Sequence, residues 1–263
     1  MDTALCCMAK QENRYLGEWV SYHLALGFSC IYIYDNNDPD GEHCADVLKK
    51  YIDDGKVIIL DYRGRKQVSC QVQVAAYKDF YDHYASKYQW VMFLDVDEFL
   101  VFHKHKTVEE YLNEPFFRDK NCIRINWLCY SDNDLIHYDD RPVRERFTQY
   151  SPNNDVNHYY KSFFRTGIRN LQIPNVHYTS PISGVCMNNG RSIPFSAQTK
   201  LPVVNYDFAH VAHYCTKSME EFVDVKRKRR SPGHSKNRLN FEFYWKYNKR
   251  TAEKERLLKE MMG

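Results

Sequence analysis

Residues 90–100 read W-V-M-F-L-D-V-D-E-F-L, and this stretch decides what kind of fold the chain adopts. Its first five residues, Trp90 to Leu94, form a short apolar run typical of a strand buried on both faces of a parallel sheet. Three carboxylates follow at once: Asp95, Asp97 and Glu98. Burying unpaired carboxylates costs several kcal/mol unless a cation compensates them. Because ligands bind at the carboxyl ends of strands in open α/β sheets, the stretch predicts a cation site there.

The ligand type predicts which cation the site takes. Oxygen ligands alone favour Mg²⁺ or Mn²⁺ over Zn²⁺, and these ions keep coordination positions open for substrate phosphates. We therefore expect a metal–phosphate site with Asp95 and Asp97 as metal ligands and Mn²⁺ or Mg²⁺ as cofactor. The alternative is a solvated acidic turn, since short D-x-D pairs are common in loops.

Strand and helix patterns alternate through the first half of the chain. Apolar runs predict strands at 4–8, 29–34, 57–60 and 90–94. Helical spacing predicts a helix that ends before Gly27, and further helices at 45–52 and 69–87. This succession predicts an α/β fold with a doubly wound, mostly parallel sheet and helices on both faces.

The second half is less regular. Strands are predicted at 122–130 and 161–165. Capping-box patterns at 107–110 and 218–221 predict helix starts, the second helix continuing into the basic run and Pro232, and residues 240–262 read as one long terminal helix. We predict one domain over residues 1–235 and a C-terminal helical extension over 236–263, packed on or beside it.

Composition limits the class of protein. The net charge of +3 is too small to indicate nucleic acid as a partner, and no run of 18 apolar residues would span a membrane. The nine cysteines lack C-x-x-C spacing, which favours reduced, buried thiols. The N-terminus has no basic region or apolar core of a secretory leader, so a cytoplasmic location is expected.

A basic run at 226–230 concentrates positive charge near the C-terminus. A solvated helix end explains it as well as binding does. If it binds a partner, an anionic membrane surface or a phosphorylated substrate fits better than DNA. Peripheral contact with the inner face of a membrane is therefore one option for the localisation.

Several motifs occur in the order seen in a known enzyme family. They are Lys10-Gln11-Glu12, Glu18-Trp19-Val20 with His23 and Gly27, Ile33-Tyr34-Asp35-Asn36, residues 90–100, and His213-Tyr214-Cys215-Thr216-Lys217-Ser218 with Glu221-Phe222. Together they resemble the family 92 glycosyltransferases and related bacterial glycosyltransferases of the family-2 type. Gln11 departs from the K-N-E triplet usual in the family, and residues 37–40 depart from its D-N-x-S-x-D pattern.

The resemblance implies a GT-A-type fold and a hexosyltransferase of polysaccharide biosynthesis. It would move a sugar from a nucleotide-sugar donor, a UDP-hexose such as UDP-galactose or UDP-glucose, to a glycan or lipid-linked saccharide, with inversion. By the same resemblance, Glu12 and Asp35 would contact the uridine of the donor. Asp95 and Asp97 would hold the metal that bridges the diphosphate, where a cation stabilises the charge of the leaving group.

Further residues are candidates for the same site. A third metal ligand is expected from His177 or His213, ranked above His210, and we favour His177 because it follows an apolar segment. The general base of an inverting transfer would be Glu98, Asp132 or Asp134, although residues 132–134 also read as an ordinary Asx turn. The remaining donor-binding candidates are Lys10, Gln73, Tyr77 and Lys161, the last being either a phosphate-neutralising or an exposed strand residue.

Two other functions stay open on the sequence. A sugar nucleotidyltransferase also uses an α/β sheet with acidic metal ligands, but such enzymes usually have a glycine-rich loop after the first strand, and residues 8–12 contain no glycine. The other alternative is an inactive carbohydrate- or membrane-binding module. Release of UDP from a nucleotide sugar separates these alternatives.

Overall fold

Alternating strands and helices build the first half of the chain, as the sequence predicts. The computed structural model describes residues 1–65, 71–151, 153–180, 182–195, 198–228 and 240–262. The strands are β1 (Thr3–Ala9), β2 (Cys30–Asp35), β3 (Val57–Asp61) and β4 (Trp90–Phe93), and the helices are α1 (Asn13–Ala25), α2 (Cys44–Asp53) and α3 (Gln71–His83).

These four strands form a parallel sheet. β1 pairs with β2 on one side and with β4 on the other, and β3 lies outside β2. The register sets Ala9 beside Asp35. The carboxyl ends of β1, β2 and β4 therefore meet at one edge, which is where ligands bind in sheets of this kind.

The second half of the chain extends the sheet with strands of mixed direction. It contributes β5 (Glu98–Phe102), β6 (Cys122–Cys129), β7 (Tyr160–Arg165), β8 (Val185–Met187) and β9 (Ala209–His213). The strand order is β3-β2-β1-β4-β7-β6-β9-β5, with β8 paired to β6. β7 runs antiparallel to β4 and β6, and β5 runs antiparallel to β9. All other pairings between these nine strands are parallel, so the predicted mostly parallel α/β sheet is confirmed.

Apolar layers cover both faces of the sheet. Neighbouring residues of β1 point to opposite faces, so Cys7 packs with Trp19 of α1 and Cys6 packs with Phe80 of α3. The cysteines within the described residues are buried and free, as expected. Helices on both faces are therefore confirmed.

The prediction of one long terminal helix over residues 240–262 is wrong. The structure has two helices, α7 (Phe241–Trp245) and α8 (Ala252–Met262). Asn248 Nδ2 donates to Tyr244 O at 2.9 Å and to Thr216 Oγ1 at 3.1 Å. A buried side chain that bonds to the helical backbone and to another part of the chain ends the helix at this point.

The remaining helices are short. They are α4 (Val108–Leu112), α5 (Val143–Arg146) and α6 (Met219–Glu221), and a π-helical segment, Phe222–Lys226, continues α6. The capping box at Ser218 and Glu221 forms as predicted. Pro232 and the predicted domain boundary at 235/236 lie outside the described residues.

The C-terminal segment, residues 240–262, packs on the rest of the chain. Tyr244 and Leu258 are fully buried in a cluster with Met219, Phe222 and Val223. Within the described residues, no helix is both long enough and apolar enough to cross a bilayer.

Candidate active site

The acidic turn, residues 95–97, joins the central strand β4 to β5. Glu98 N donates to Asp95 O at 2.9 Å, and Asp95 N donates to the Glu98 carboxylate at 2.8 Å. These two bonds fold the chain back within four residues. As a result, the predicted carboxylates lie at the carboxyl edge of the parallel sheet.

Lys161 of β7 is the cation closest to the first of these carboxylates. Its Nζ lies 2.9 Å from Asp95 Oδ2 and 3.1 Å from Glu98 Oε2, and its side chain is buried. Burial raises the pKa of Glu98 to about 8, so this carboxyl is mostly protonated at neutral pH. Burial also raises the pKa of Asp95, but the charge of Lys161 together with the hydrogen bonds from Lys161 and Gln73 holds that pKa below its usual value.

Of the two predicted donor-binding residues on α3, Gln73 bonds to Asp95, and Tyr77 bonds to Gln73. Gln73 Nε2 donates to Asp95 Oδ1 at 2.6 Å and to the Tyr77 hydroxyl at 2.8 Å. The Tyr77 ring stacks on Phe93 with centroids 4.2 Å apart. The structure therefore brings together Gln73, Tyr77, Asp95 and Lys161, four residues that are far apart in the sequence.

The second carboxylate of the turn is paired with the basic run. Lys226 Nζ donates to Asp97 Oδ2, and His213 Nε2 lies 3.7 Å from Asp97 Oδ1. Burial raises the pKa of Asp97, but Lys226, followed by His213 and Lys217, holds it well below its usual value. Burial lowers the pKa of His213 to about 3, so the ring is neutral at physiological pH.

The histidine candidates lie at three positions around β9. His213 packs on Trp127 with ring centroids 4.2 Å apart. His177 packs on the same Trp127 ring with centroids 5.4 Å apart, and its Nδ1 donates to Tyr160 O at 3.3 Å. His210 points away from His213 and bonds to His103 at 2.9 Å. The structure thus places His213 beside Asp97, while the role of His177 as a metal ligand stays a prediction.

The predicted uridine contacts lie at the ends of β1 and β2. Both oxygens of Asp35 hold the following loop: Oδ1 accepts from Asn37 N and Nδ2, and Oδ2 accepts from Cys44 N at 3.0 Å. Glu12 is buried just before α1, and Lys10 Nζ pairs with Asp38 at 2.7 Å. Asp35 therefore shapes this edge, and the donor contacts of these residues stay predictions.

The other two base candidates anchor the C-terminal segment. Asp132 is buried and accepts from the Tyr244 hydroxyl, and Lys254 Nζ lies 2.6 Å from it and 3.1 Å from Asp134. Asp134 N donates to Asp132 Oδ1 at 3.0 Å, which is the Asx turn that the sequence also allowed. Their contacts are structural, and a catalytic role for them stays a prediction.

The chemistry of the acidic turn fits a divalent cation by ligand type but not by arrangement. Asp95 and Asp97 offer hard oxygen ligands. However, lysines already neutralise both, and within the described parts of the chain no three potential ligands converge as a metal site requires. A metal at Asp97 would have to displace Lys226.

Two lysines of this site had no assigned role in the sequence. Lys217 lies in the quoted motif and Lys226 in the basic run, which reads equally well as a solvated helix end. In the structure Lys217 is buried and Lys226 turns inward to Asp97. For Lys226 the sequence signal was charge alone, and charge does not show which lysine of a run points inward.

Comparison with protein families gives a match over nearly the whole chain. The model of glycosyltransferase family 92 matches residues 3–260. A family 92 protein from Oryza sativa subsp. japonica is 32% identical over 108 residues, which are 41% of this chain and 18% of that protein. One from Ricinus communis is 28% identical over 128 residues, 49% of this chain and 20% of that protein. The chain spans about a fifth of the length of these relatives.

Comparison with solved structures gives a more distant likeness. S. aureus TarS 1-349 in complex with UDP-GlcNAc is 10% identical with a TM-score of 0.44, covering 99% of this chain and 79% of that one.

Proposed function

Because the chain belongs to glycosyltransferase family 92, we propose that it transfers a hexose from a UDP-sugar, such as UDP-galactose or UDP-glucose, to a glycan or lipid-linked saccharide. The observation that carries the proposal is the acidic turn at the carboxyl edge of a parallel sheet, in contact with Gln73 and Lys161. Open α/β sheets bind nucleotides at this edge. The protein is thus proposed to be an enzyme.

The cations around the turn suit a diphosphate leaving group. When the bond between sugar and diphosphate breaks, negative charge grows on the phosphate oxygens. Positive groups that are already fixed in place stabilise that charge without reorganising. Lys161 is buried beside Asp95 and Lys226 is held by Asp97, so both stand in place before a donor arrives.

A divalent cation, Mn²⁺ or Mg²⁺, is a separate part of the proposal. It rests on two carboxylates that follow a buried strand, Asp95 and Asp97, and when bound it would neutralise diphosphate charge. The lysine pairs described above mean that the chain's own cations supply part of this neutralisation. Turnover measured with and without a chelator shows how much of the neutralisation requires a metal.

Inverting transfer is the proposed stereochemistry, and it requires a base at the acceptor hydroxyl. Among the three candidates, Glu98 is fully buried and Asp132 is bonded to Tyr244 and Lys254. Asp134 is the candidate with an exposed side chain, 60% accessible. A base supplied by Asp134 is therefore the version of the proposal to test first.

The test is a donor screen with the purified protein. UDP release is measured for a panel of UDP-sugars with a saccharide acceptor, in Mn²⁺, in Mg²⁺ and in EDTA. Turnover of at least one UDP-sugar supports the transferase, and turnover that stops in EDTA supports the metal. Pyrophosphate release from a nucleoside triphosphate would instead indicate a nucleotidyltransferase, and binding of saccharide without turnover would indicate an inactive module.

A further inference from the structure

A narrow pocket opens next to the acidic turn, on the side of the C-terminal half. It lies between the start of α1 and the chain that follows β9. Its lining includes the Tyr15 ring, Thr216, Lys217 and Lys226. Two lysines therefore line one small pocket.

Lys217 is the unusual member of this lining. It is 5% exposed, and its φ of 55° places a non-glycine residue in the left-handed region. Such a conformation costs of order 1 kcal/mol and is found at ligand sites more often than elsewhere. The surrounding structure holds it there, because the next residue, Ser218, is fixed by the capping box with Glu221.

The ammonium of Lys217 has no hydrogen-bond or ion-pair partner within the described ranges. It lies 4.2 Å from the centre of the Tyr15 ring, a cation–π contact. Partial burial of an ammonium without protein hydrogen bonds is costly, since it gives up part of its water. An anion in the pocket would supply the missing acceptors.

The neighbouring carboxylate cannot serve as that acceptor, because it is already saturated. Glu221 accepts from Arg146 Nη1 at 2.8 Å and Nη2 at 3.1 Å, from the Tyr15 hydroxyl at 2.8 Å and from Ser218 N at 3.1 Å. The other carboxylate near Lys217 is Asp97, which is paired with Lys226. The positive charge of Lys217 is thus left for a ligand.

We propose that Lys217 and Lys226 form a phosphoryl-binding subsite in this pocket. Ammonium groups match the compact charge of phosphate oxygens. The identity of the occupant rests on the proposed function: the diphosphate of the nucleotide-sugar donor. A phosphate on a lipid-linked acceptor has the same chemistry and is the second source to distinguish.

The test measures binding of three probes to the full chain by calorimetry: pyrophosphate, UDP and uridine. Lys217→Gln should weaken pyrophosphate and UDP roughly tenfold or more, because a charged hydrogen bond to phosphate is lost, and should leave uridine unchanged. Lys217→Arg should retain most of the affinity. Lys228→Gln is the matched control, since Lys228 lies in the same basic run, 68% exposed, and pairs with Asp224.

Thermal melting verifies that Lys217→Gln is folded. If it is not folded, Lys217→Arg tests the subsite instead, because it keeps the positive charge. Unchanged pyrophosphate and UDP affinity in a folded Lys217→Gln protein overturns the subsite, as does a wild-type protein that binds neither probe. A polyprenyl phosphate that binds in a Lys217-dependent way more tightly than UDP assigns the subsite to the acceptor.

The outcomes also separate this inference from the proposed function. Lys217-dependent binding of UDP without turnover of any UDP-sugar supports the subsite and contradicts the transferase. Turnover with an unchanged KM in Lys217→Gln supports the transferase and contradicts the subsite.

Discussion

The pair formed by Asp97 and Lys226 shows how the acidic turn is tolerated. Asp97 is buried at 3% exposure, and Lys226 reaches it from the π-helical segment. Each charge compensates the other in surroundings where a single charge would be costly. The pair therefore ties the sheet edge to the C-terminal half of the chain.

Removing only the carboxylate should destabilise the protein. Asp97→Ala leaves the ammonium of Lys226 without its partner, and we expect a loss of about 3 kcal/mol in the free energy of unfolding. Denaturant titration measures it. The double variant Asp97→Ala with Lys226→Met should recover most of that loss, because no charge is left unpaired; a double variant as unstable as the single one would show that the pairing is not the cause.

Part of the site could be predicted residue by residue. Asp95 and Asp97 follow an apolar strand, and the position of Gln73 and Tyr77 on the preceding helix placed them near that strand's end. Lys226 could not be assigned, because five consecutive basic residues look alike in sequence. Only the fold determines which of them meets Asp97.

At the scale of elements, α1 holds β5 in place behind the acidic turn. Trp19 Nε1 donates to Glu98 O and the Tyr22 hydroxyl donates to Leu100 O, both at 2.7 Å. His23 completes the contact: its Nδ1 bonds to Trp19 O at 2.8 Å and its Nε2 accepts from Leu100 N at 3.3 Å. The neutral ring satisfies both bonds, and a protonated ring would lose the second.

This contact predicts that stability falls in mild acid. Burial lowers the pKa of His23 to about 3, below the value of about 6.5 in the unfolded chain. The unfolded state therefore binds more protons between these values, and the stabilising contribution is full above pH 6.5 and is lost as pH falls toward 3. From pH 7 to pH 5, one such histidine should cost about 2 kcal/mol.

Unfolding by denaturant at pH 7 and pH 5 measures the slope of the free energy of unfolding against pH. His23→Gln is the informative variant, because an amide can donate and accept without titrating, and its slope should be smaller than that of the wild type. His210→Gln should also flatten the slope, since burial lowers the pKa of His210 to about 3 as well. If both variants keep the wild-type slope of unfolding free energy against pH, the buried histidines are not the cause of the acid sensitivity.

The elements of the first half were predictable, and several of the second half were not. β1 to β4 are apolar runs bounded by turn residues, which local pattern reveals. β5 begins with Glu98, a buried carboxylate, and β9 reads A-H-V-A-H, with two histidines in five residues. Their polar residues are stabilised by distant partners such as Lys161 and His103, and no local pattern contains that information.

At the scale of the whole molecule, the C-terminal segment behaves as part of the core. Leu258 and Tyr244 are fully buried against Phe222, and Lys254 pairs with Asp132. The predicted separation into a domain and an extension stays a prediction. The contacts indicate that residues 240–262 and the rest of the chain unfold in one transition.

Leu258→Ala tests this cooperativity. Truncating a fully buried leucine should cost about 2–5 kcal/mol. If the segment belongs to the same cooperative unit, the single calorimetric transition should move to lower temperature as a whole, and a separate early transition would contradict it. Glu253→Gln, exposed on the same helix, should shift the midpoint little.

The connection between β4 and β5 also has a consequence for the timing of synthesis. β5 leaves the ribosome directly after the acidic turn, but its neighbour β9 and the lysine of the π-helical segment emerge much later. At a synthesis rate of about 5–20 residues per second, the carboxylates stay hydrated and unpaired for several seconds before their partner residues are synthesised. A nascent or prematurely released chain therefore lacks a finished site.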